Sequence, residues 1–224
     1  MSVQRISPGA VISRIWDIYR DQAAVLIGTA FVLYAVQFVV LLLVPGATIA
    51  IAILFWVLSV LYQGMVVELV NDLESGRRGH SVAALLRSVE PVLLALLGVS
   101  VLFAFGVAIG FVLFIIPGLI LLVMWCVVAP VTVLERPGVF AAFGRSRELV
   151  RGNGWAVFGV IVLVGLTVLV VSVAVGLASS ALGSLGRALV QWVVNAAIAP
   201  VSALSASVIY FALRNPAATS VAPR

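Results

Sequence analysis

The chain has 224 residues, of which 64% are hydrophobic and only 9% charged, and its mean hydropathy is +1.29. That composition excludes an ordinary water-soluble domain, which exposes far more charge, and describes a chain whose main solvent is lipid. The net charge of +5 comes from 13 basic residues, all arginine, against 8 acids; the arginines flank apolar runs, which fits membrane flanks and speaks against nucleic-acid binding.

The chain opens with Arg5, Arg14, Asp17, Arg20 and Asp21. This is too much charge for the apolar core of a cleavable signal, and the span that follows is longer than such a core, so it reads as an uncleaved anchor. Within this segment Val11, Ile12, Ile15, Ile18, Tyr19 and Gln22 share one helical face. Ser13, Arg14, Asp17, Arg20 and Asp21 form the opposite stripe, which predicts a short amphipathic helix. Trp16 and Tyr19 suit the boundary between headgroups and acyl chains.

Charge then disappears over residues 22–67, 91–134 and 152–213, the last broken only by Arg187. A bilayer core about 30 Å thick takes roughly 20 apolar residues per helix, so each stretch has room for two crossings. Because a bare turn cannot stay in lipid, each stretch must reverse at the far surface. Pro45-Gly46 and Pro117-Gly118 supply reversals in the first two, and Ser179, Ser180, Gly183 and Gly186 a looser one in the third. The expected spans are 23–44, 47–70, 91–116, 118–135, 155–178 and 188–213. Twelve arginines (positions 5, 14, 20, 77, 78, 87, 136, 145, 147, 151, 214 and 224) fall on one side and only Arg187 on the other. Basic residues stay on the cytoplasmic side, so both termini are expected there.

The segments before each pair of spans resemble one another. Ala10 to Asp17, Ala83 to Glu90 and Ala141 to Glu148 each carry Ala, then Arg four residues later, then an acid three after that. The expected fold class is therefore all-α. It is a polytopic membrane protein with six transmembrane helices as three helical hairpins, each preceded by an amphipathic interfacial helix. Residues 1–214 form one domain with pseudo-repeats over about 10–70, 83–135 and 141–213, and 215–224 is a disordered cytoplasmic tail. Val82, Leu85, Leu86 and Val89 form the apolar face of the second short helix.

Sites are few. Arg14, Arg87, Arg145, Arg147 and Arg151 are the candidates for lipid-headgroup contacts, as against helices that only brace the bundle, with their arginines neutralised by the neighbouring acids. Within the spans the polar side chains are Gln37, Gln63, Gln191 and Asn195 with scattered Ser and Thr. Gln191 and Asn195 share a helix face, for interhelical hydrogen bonding or for contact with a polar substrate. No charged residue or histidine falls mid-span, which weakens an ion-coupled carrier. Gly98, Gly106 and Gly110, and Ala199, Ala203 and Ser207, make small-residue ridges that serve contacts within the bundle, a homo-oligomer or a partner membrane protein. Pro130 and Pro200 are expected to kink spans four and six, tuning packing or opening a cavity. Cys126 is the only cysteine, His80 the only histidine and in a polar connection, and no phosphate-cradling glycine loop or zinc-spaced set is present. Catalysis, cofactors and metals are not expected.

The run Ile116-Pro117-Gly118, Trp125, Pro130, Val133-Leu134-Glu135, Arg145-Ser146, Leu149-Val150-Arg151-Gly152 and Trp155 resembles the membrane domain associated with some bacterial glycerophosphodiester phosphodiesterases. Pro200 and Tyr210 through Leu213-Arg214 are similar to its closing span. The hydrolytic domain of the fused relatives, with its metal-binding acids and histidines, has no counterpart here, so the resemblance implies a membrane module alone. The expected function is a non-catalytic protein of a prokaryotic inner membrane that binds or organises phospholipid or scaffolds a partner at the cytoplasmic face. The alternative is a transporter, channel or lipid-translocating protein, motivated by the six spans, the repeats and the prolines.

Overall fold

The computed structural model describes residues 6–43, 48–77 and 82–215, and the described residues form helices and turns without a strand. A short helix α1 (Pro8–Asp21) precedes α2 (Ala23–Leu43) and α3 (Thr48–Glu74). Next come α4 (Val82–Val89), a 3-10 turn (Glu90–Val92), α5 (Leu93–Leu113), α6 (Ile115–Met124) and α7 (Val128–Leu134). The chain closes with α8 (Val139–Val150), α9 (Gly154–Ala178) and α10 (Ser184–Arg214). The segments Ile49–Glu74, Val82–Leu113, Ile115–Leu134, Gly154–Ala178 and Gly186–Arg214 are five helices long and apolar enough to cross a membrane. In α2 the fully described apolar part is Ala23–Val36. This is the architecture of a multi-pass integral membrane protein.

The centre of the bundle is α10, which packs against α1, α2, α3, α7, α8 and α9. In its apolar window 61% of residues are buried, against 6% in α9, so α9 is the periphery and turns almost its whole surface outward. Outward apolar side chains need no protein partner when the solvent is acyl chain. Leu26 and Ala30 of α2, Val66 and Val70 of α3, Val89 of α4, Val131 of α7 and Leu204 and Tyr210 of α10 belong to one buried cluster. Neighbouring long helices pack together, α2 on α3, α5 on α6 and α9 on α10.

The amphipathic α1 forms as its pattern requires. Pro8 occupies the first helical position, where its missing N–H costs nothing. Val11, Ile15 and Ile18 are buried against α9 and α10, and Arg14, Asp17, Arg20 and Asp21 are exposed. Tyr19 stacks on Trp16 and its hydroxyl donates to the Ala197 carbonyl, 3.2 Å away. In α4 only Leu85 and Val89 of the expected apolar face are buried; Val82 and Leu86 lie exposed.

Three expectations are corrected. The second reversal falls at Phe114, whose extended backbone (φ −163°, ψ 155°) separates α5 from α6. Pro117 sits in the first turn of α6, where no helical N–H is needed, and Gly118 serves close packing. A Cβ on Gly110 would lie 2.9 Å from the Gly118 Cα, so these two glycines let the backbones of α5 and α6 touch. One on Gly106 would lie 2.4 Å from the Trp125 ring, so Gly106 and Gly110 of the α5 ridge are used for close packing inside the chain, whereas a Cβ on Gly98 would make only ordinary contact with Val139 at 3.5 Å. The fourth expected span is broken at residues 125–127 into α6 and α7, because Pro130 offers no N–H to the Cys126 carbonyl and crowds it. Gly186 belongs to α10 and not to the connection before it. Pro45-Gly46, Arg78, His80 and residues 216–224 lie outside the described residues, as do Arg5 and the Gln37 side chain.

Candidate functional site

The arginine-bearing ends of several helices meet in one hydrogen-bonded cluster. Glu135 follows the last turn of α7; Arg145 Nε donates to its Oε2 at 2.8 Å and the Tyr210 hydroxyl to its Oε1 at 2.9 Å. Arg214 Nη1 donates to the Tyr210 hydroxyl at 3.2 Å, and Arg145 Nη1 to Glu148 Oε2 at 3.3 Å. Burial alone would raise the Glu135 carboxyl, but the hydrogen bonds from Arg145 and Tyr210 outweigh it and hold the group below its ordinary pKa. The hydrogen bond to Glu135 is the largest of the influences that raise the Arg145 guanidinium. Four residues thus clamp α7, α8 and α10 together.

A second buried contact fixes α8. The Ser146 hydroxyl donates to the Met124 carbonyl at 2.8 Å, and Ser146 is fully buried. In an unbroken helix the Val128 N–H would serve Met124, but here it goes to the Trp125 carbonyl at 3.0 Å. Ser146 therefore satisfies a carbonyl that the break exposes. At the other end of α8 the chain turns through Gly152, whose φ of +89° is the left-handed region that glycine enters without penalty. Asn153 Oδ1 then accepts the Ile6 N–H at 3.2 Å, which anchors the chain just before α1 at this corner.

Between α6, α8 and α9 lies a groove of about 1090 Å³. Its walls are apolar, with Leu119 and Ile120 from α6 and Trp155 and Phe158 from α9, and its α8 side carries Arg147 and Arg151. The stretch of α6 along it, Ile116 to Met124, is about 12 Å long at 1.5 Å per residue. Glu148 also lines it, but its carboxylate already meets Arg145. Neither Arg147 nor Arg151 makes an ion pair among the described residues.

The five arginines singled out by the sequence separate accordingly. Arg147 and Arg151 come together, one helical turn apart, on the groove. Arg145 is turned to Glu135 and Glu148, and Arg14 to Glu74 of α3 at 2.8 Å. Arg87, in the last turn of α4, lies away from the groove and has no ion pair among the described residues. Neutralisation within each repeated Ala, Arg and acid motif is thus corrected: among the described residues only Arg145 pairs with its own acid, Glu148. Gln191 and Asn195 are corrected as well. Gln191 Nε2 donates to Asn195 Oδ1 at 3.1 Å along α10, and among the described residues the pair bonds to itself instead of to another helix.

Sequence reasoning missed the joint role of Glu135, Tyr210 and Arg214: Tyr210 and Arg214 share the four-residue spacing of a helix face, but Glu135 lies 75 residues before Tyr210 and no spacing links it to them. Among the described residues no three His, Cys, Asp or Glu side chains group as a metal site. What the arrangement offers is a cationic edge on an apolar slot. No protein-family model, curated protein or solved structure matches the chain.

Proposed function

We propose that this chain is a six-span protein of a prokaryotic inner membrane, with both termini cytoplasmic, that binds and organises phospholipid at the cytoplasmic face and catalyses no reaction. The order of elements, a short helix followed by two long apolar segments three times over, supports three hairpins each led by a short helix. The twelve-to-one distribution of arginines supports the orientation. The resemblance of residues 116–155 to a phosphodiesterase-associated membrane domain supports a module that works beside membrane lipid without hydrolysing it. The single observation that carries the function is the groove edged by Arg147 and Arg151. An amphiphile with an anionic head matches it in both polarity and charge.

Native mass spectrometry from lipid nanodiscs tests the reading. The protein is expected to leave the disc with phospholipid bound, and a protein stripped of all lipid under gentle release would refute it. Reconstituted in vesicles, it is expected to give no protein-dependent lipid flip or solute flux; a rate proportional to protein would favour translocation instead. A reporter fused after Arg214 is expected to be cytoplasmic.

A further inference from the structure

We infer that the groove between α6, α8 and α9 is a discrete site for one anionic phospholipid, with its phosphate held by Arg147 and Arg151 and an acyl chain lying along α6 toward Ile116. This rests on the phospholipid-binding reading and adds a place, a stoichiometry and a headgroup class. Three observations fit this occupant. The cations sit on α8, which Ser146 pins to Met124, the last residue of α6, so the charged edge lies at one end of the apolar wall that runs back to Ile116. The neighbouring arginine, Arg145, is engaged by two carboxylates, whereas Arg147 and Arg151 have no ion pair among the described residues and remain for a ligand. Trp155, 87% exposed at the start of α9, stands at the edge of the groove, where an indole favours the boundary between headgroup and chain. The two guanidiniums supply several directed donors for phosphate oxygens. A soluble anion would leave the apolar walls uncovered, so the chain is part of what is recognised.

The experiment uses the full chain in nanodiscs of equal dioleoyl phosphatidylglycerol and dioleoyl phosphatidylcholine, read by native mass spectrometry, with thermal unfolding to verify each variant's fold. The wild type is expected to retain one phosphatidylglycerol, with a preference over phosphatidylcholine of roughly 30-fold from two arginines near the surface. Arg147→Gln with Arg151→Gln is expected to abolish the preference, and Arg87→Gln, away from the groove, to leave it intact. Gly144 lines the groove and a Cβ there meets nothing within 4 Å, so Gly144→Trp is expected to fill the slot and eliminate the retained lipid. Ile120→Trp, from the opposite wall, does the same and serves if Gly144→Trp fails to fold. Retained phosphatidylglycerol that is indifferent to the arginine and slot-filling variants would overturn the groove site while leaving phospholipid binding standing. A wild type without retained phospholipid would overturn both. Displacement of the retained lipid by soluble glycerol 3-phosphate would overturn the role of the acyl chain.

Discussion

Severing Glu135 from Arg145 is expected to loosen α8 from α7 and α10 by an amount that the geometry bounds. The 2.8 Å contact joins a carboxylate side chain 21% exposed to a guanidinium 42% exposed, so it lies between a surface pair and a buried one. Surface pairs are worth about 0.2–1 kcal/mol, and hydrogen bonds to charged groups about 1.5–3 kcal/mol. Arg145 keeps Glu148 when Glu135 is lost, and its wet face screens the charge, so we expect a coupling of about 1–2 kcal/mol. A double-mutant cycle with Glu135→Gln and Arg145→Gln, read by equilibrium unfolding in mixed micelles, measures it. The pH dependence follows from the same carboxylate. Its folded pKa is depressed below the ordinary 4.5, so the stabilisation is complete above that value and is lost as pH falls through the folded pKa. Glu135→Gln should therefore flatten part of the acid limb of stability. A coupling under about 0.3 kcal/mol, the level at which independent sites already appear additive, or identical acid limbs for wild type and Glu135→Gln, would refute the clamp.

Three further substitutions, with Gly28→Ala as the comparison, probe the packing of the bundle, each read by the same unfolding assay. Gly110→Leu drives a side chain into the Gly118 backbone and should cost about 1–3 kcal/mol, whereas Gly28→Ala, with nothing within 4 Å, should cost well under that; equal effects would refute the close approach of α5 and α6. Ser146→Ala leaves the part-buried Met124 carbonyl without its donor and should cost about 0.5–1.5 kcal/mol; a change no larger than that of Gly28→Ala would show the contact to be idle. Tyr62→Phe removes the buried hydrogen bond to the Leu26 carbonyl at 3.0 Å and should cost about 0.5–1.5 kcal/mol, with no loss meaning that the α2 and α3 pairing does not depend on it.

Helix identity was legible because lipid leaves a coarse signature: long runs without charge, ended by arginines and acids. The ends of α2 and α9, the last residues of α10 and the buried face of α1 follow from that signature and from helical period, whereas α10 begins earlier than expected, at Ser184. The reversal at Phe114 was not legible, since a Pro-Gly pair serves equally as a turn or as the first turn of a helix plus a packing contact. Only the neighbour distinguishes them, and the neighbour is Gly110. The separation of Arg145 from Arg147 was equally hidden. Both belong to one short motif, but which carboxylate each meets depends on where α7 and α10 end. Gln191 and Asn195 were legible as a face-sharing pair, yet their spacing also permits the intrahelical bond that they make.

The break between α6 and α7 links these features into one cause. Pro130 prevents a continuous helix, so the two halves answer to different surroundings. In α7, Val128, Pro130, Val131, Thr132 and Val133 are buried against the bundle, whereas in α6 only Gly118 and Val123 are. The half that leans outward leaves a space beside α9, and the Met124 carbonyl, left without its helical partner at the break, recruits Ser146 and so draws α8 to the edge of that space. Ser146 and Arg147 are adjacent in sequence and point different ways, one into the break and one to the groove. The residue that repairs the backbone therefore also sets the position of the groove's cations. On this account the groove depends on the break, and its charged edge is as rigid as the Ser146 and Glu135 contacts that hold α8 in place.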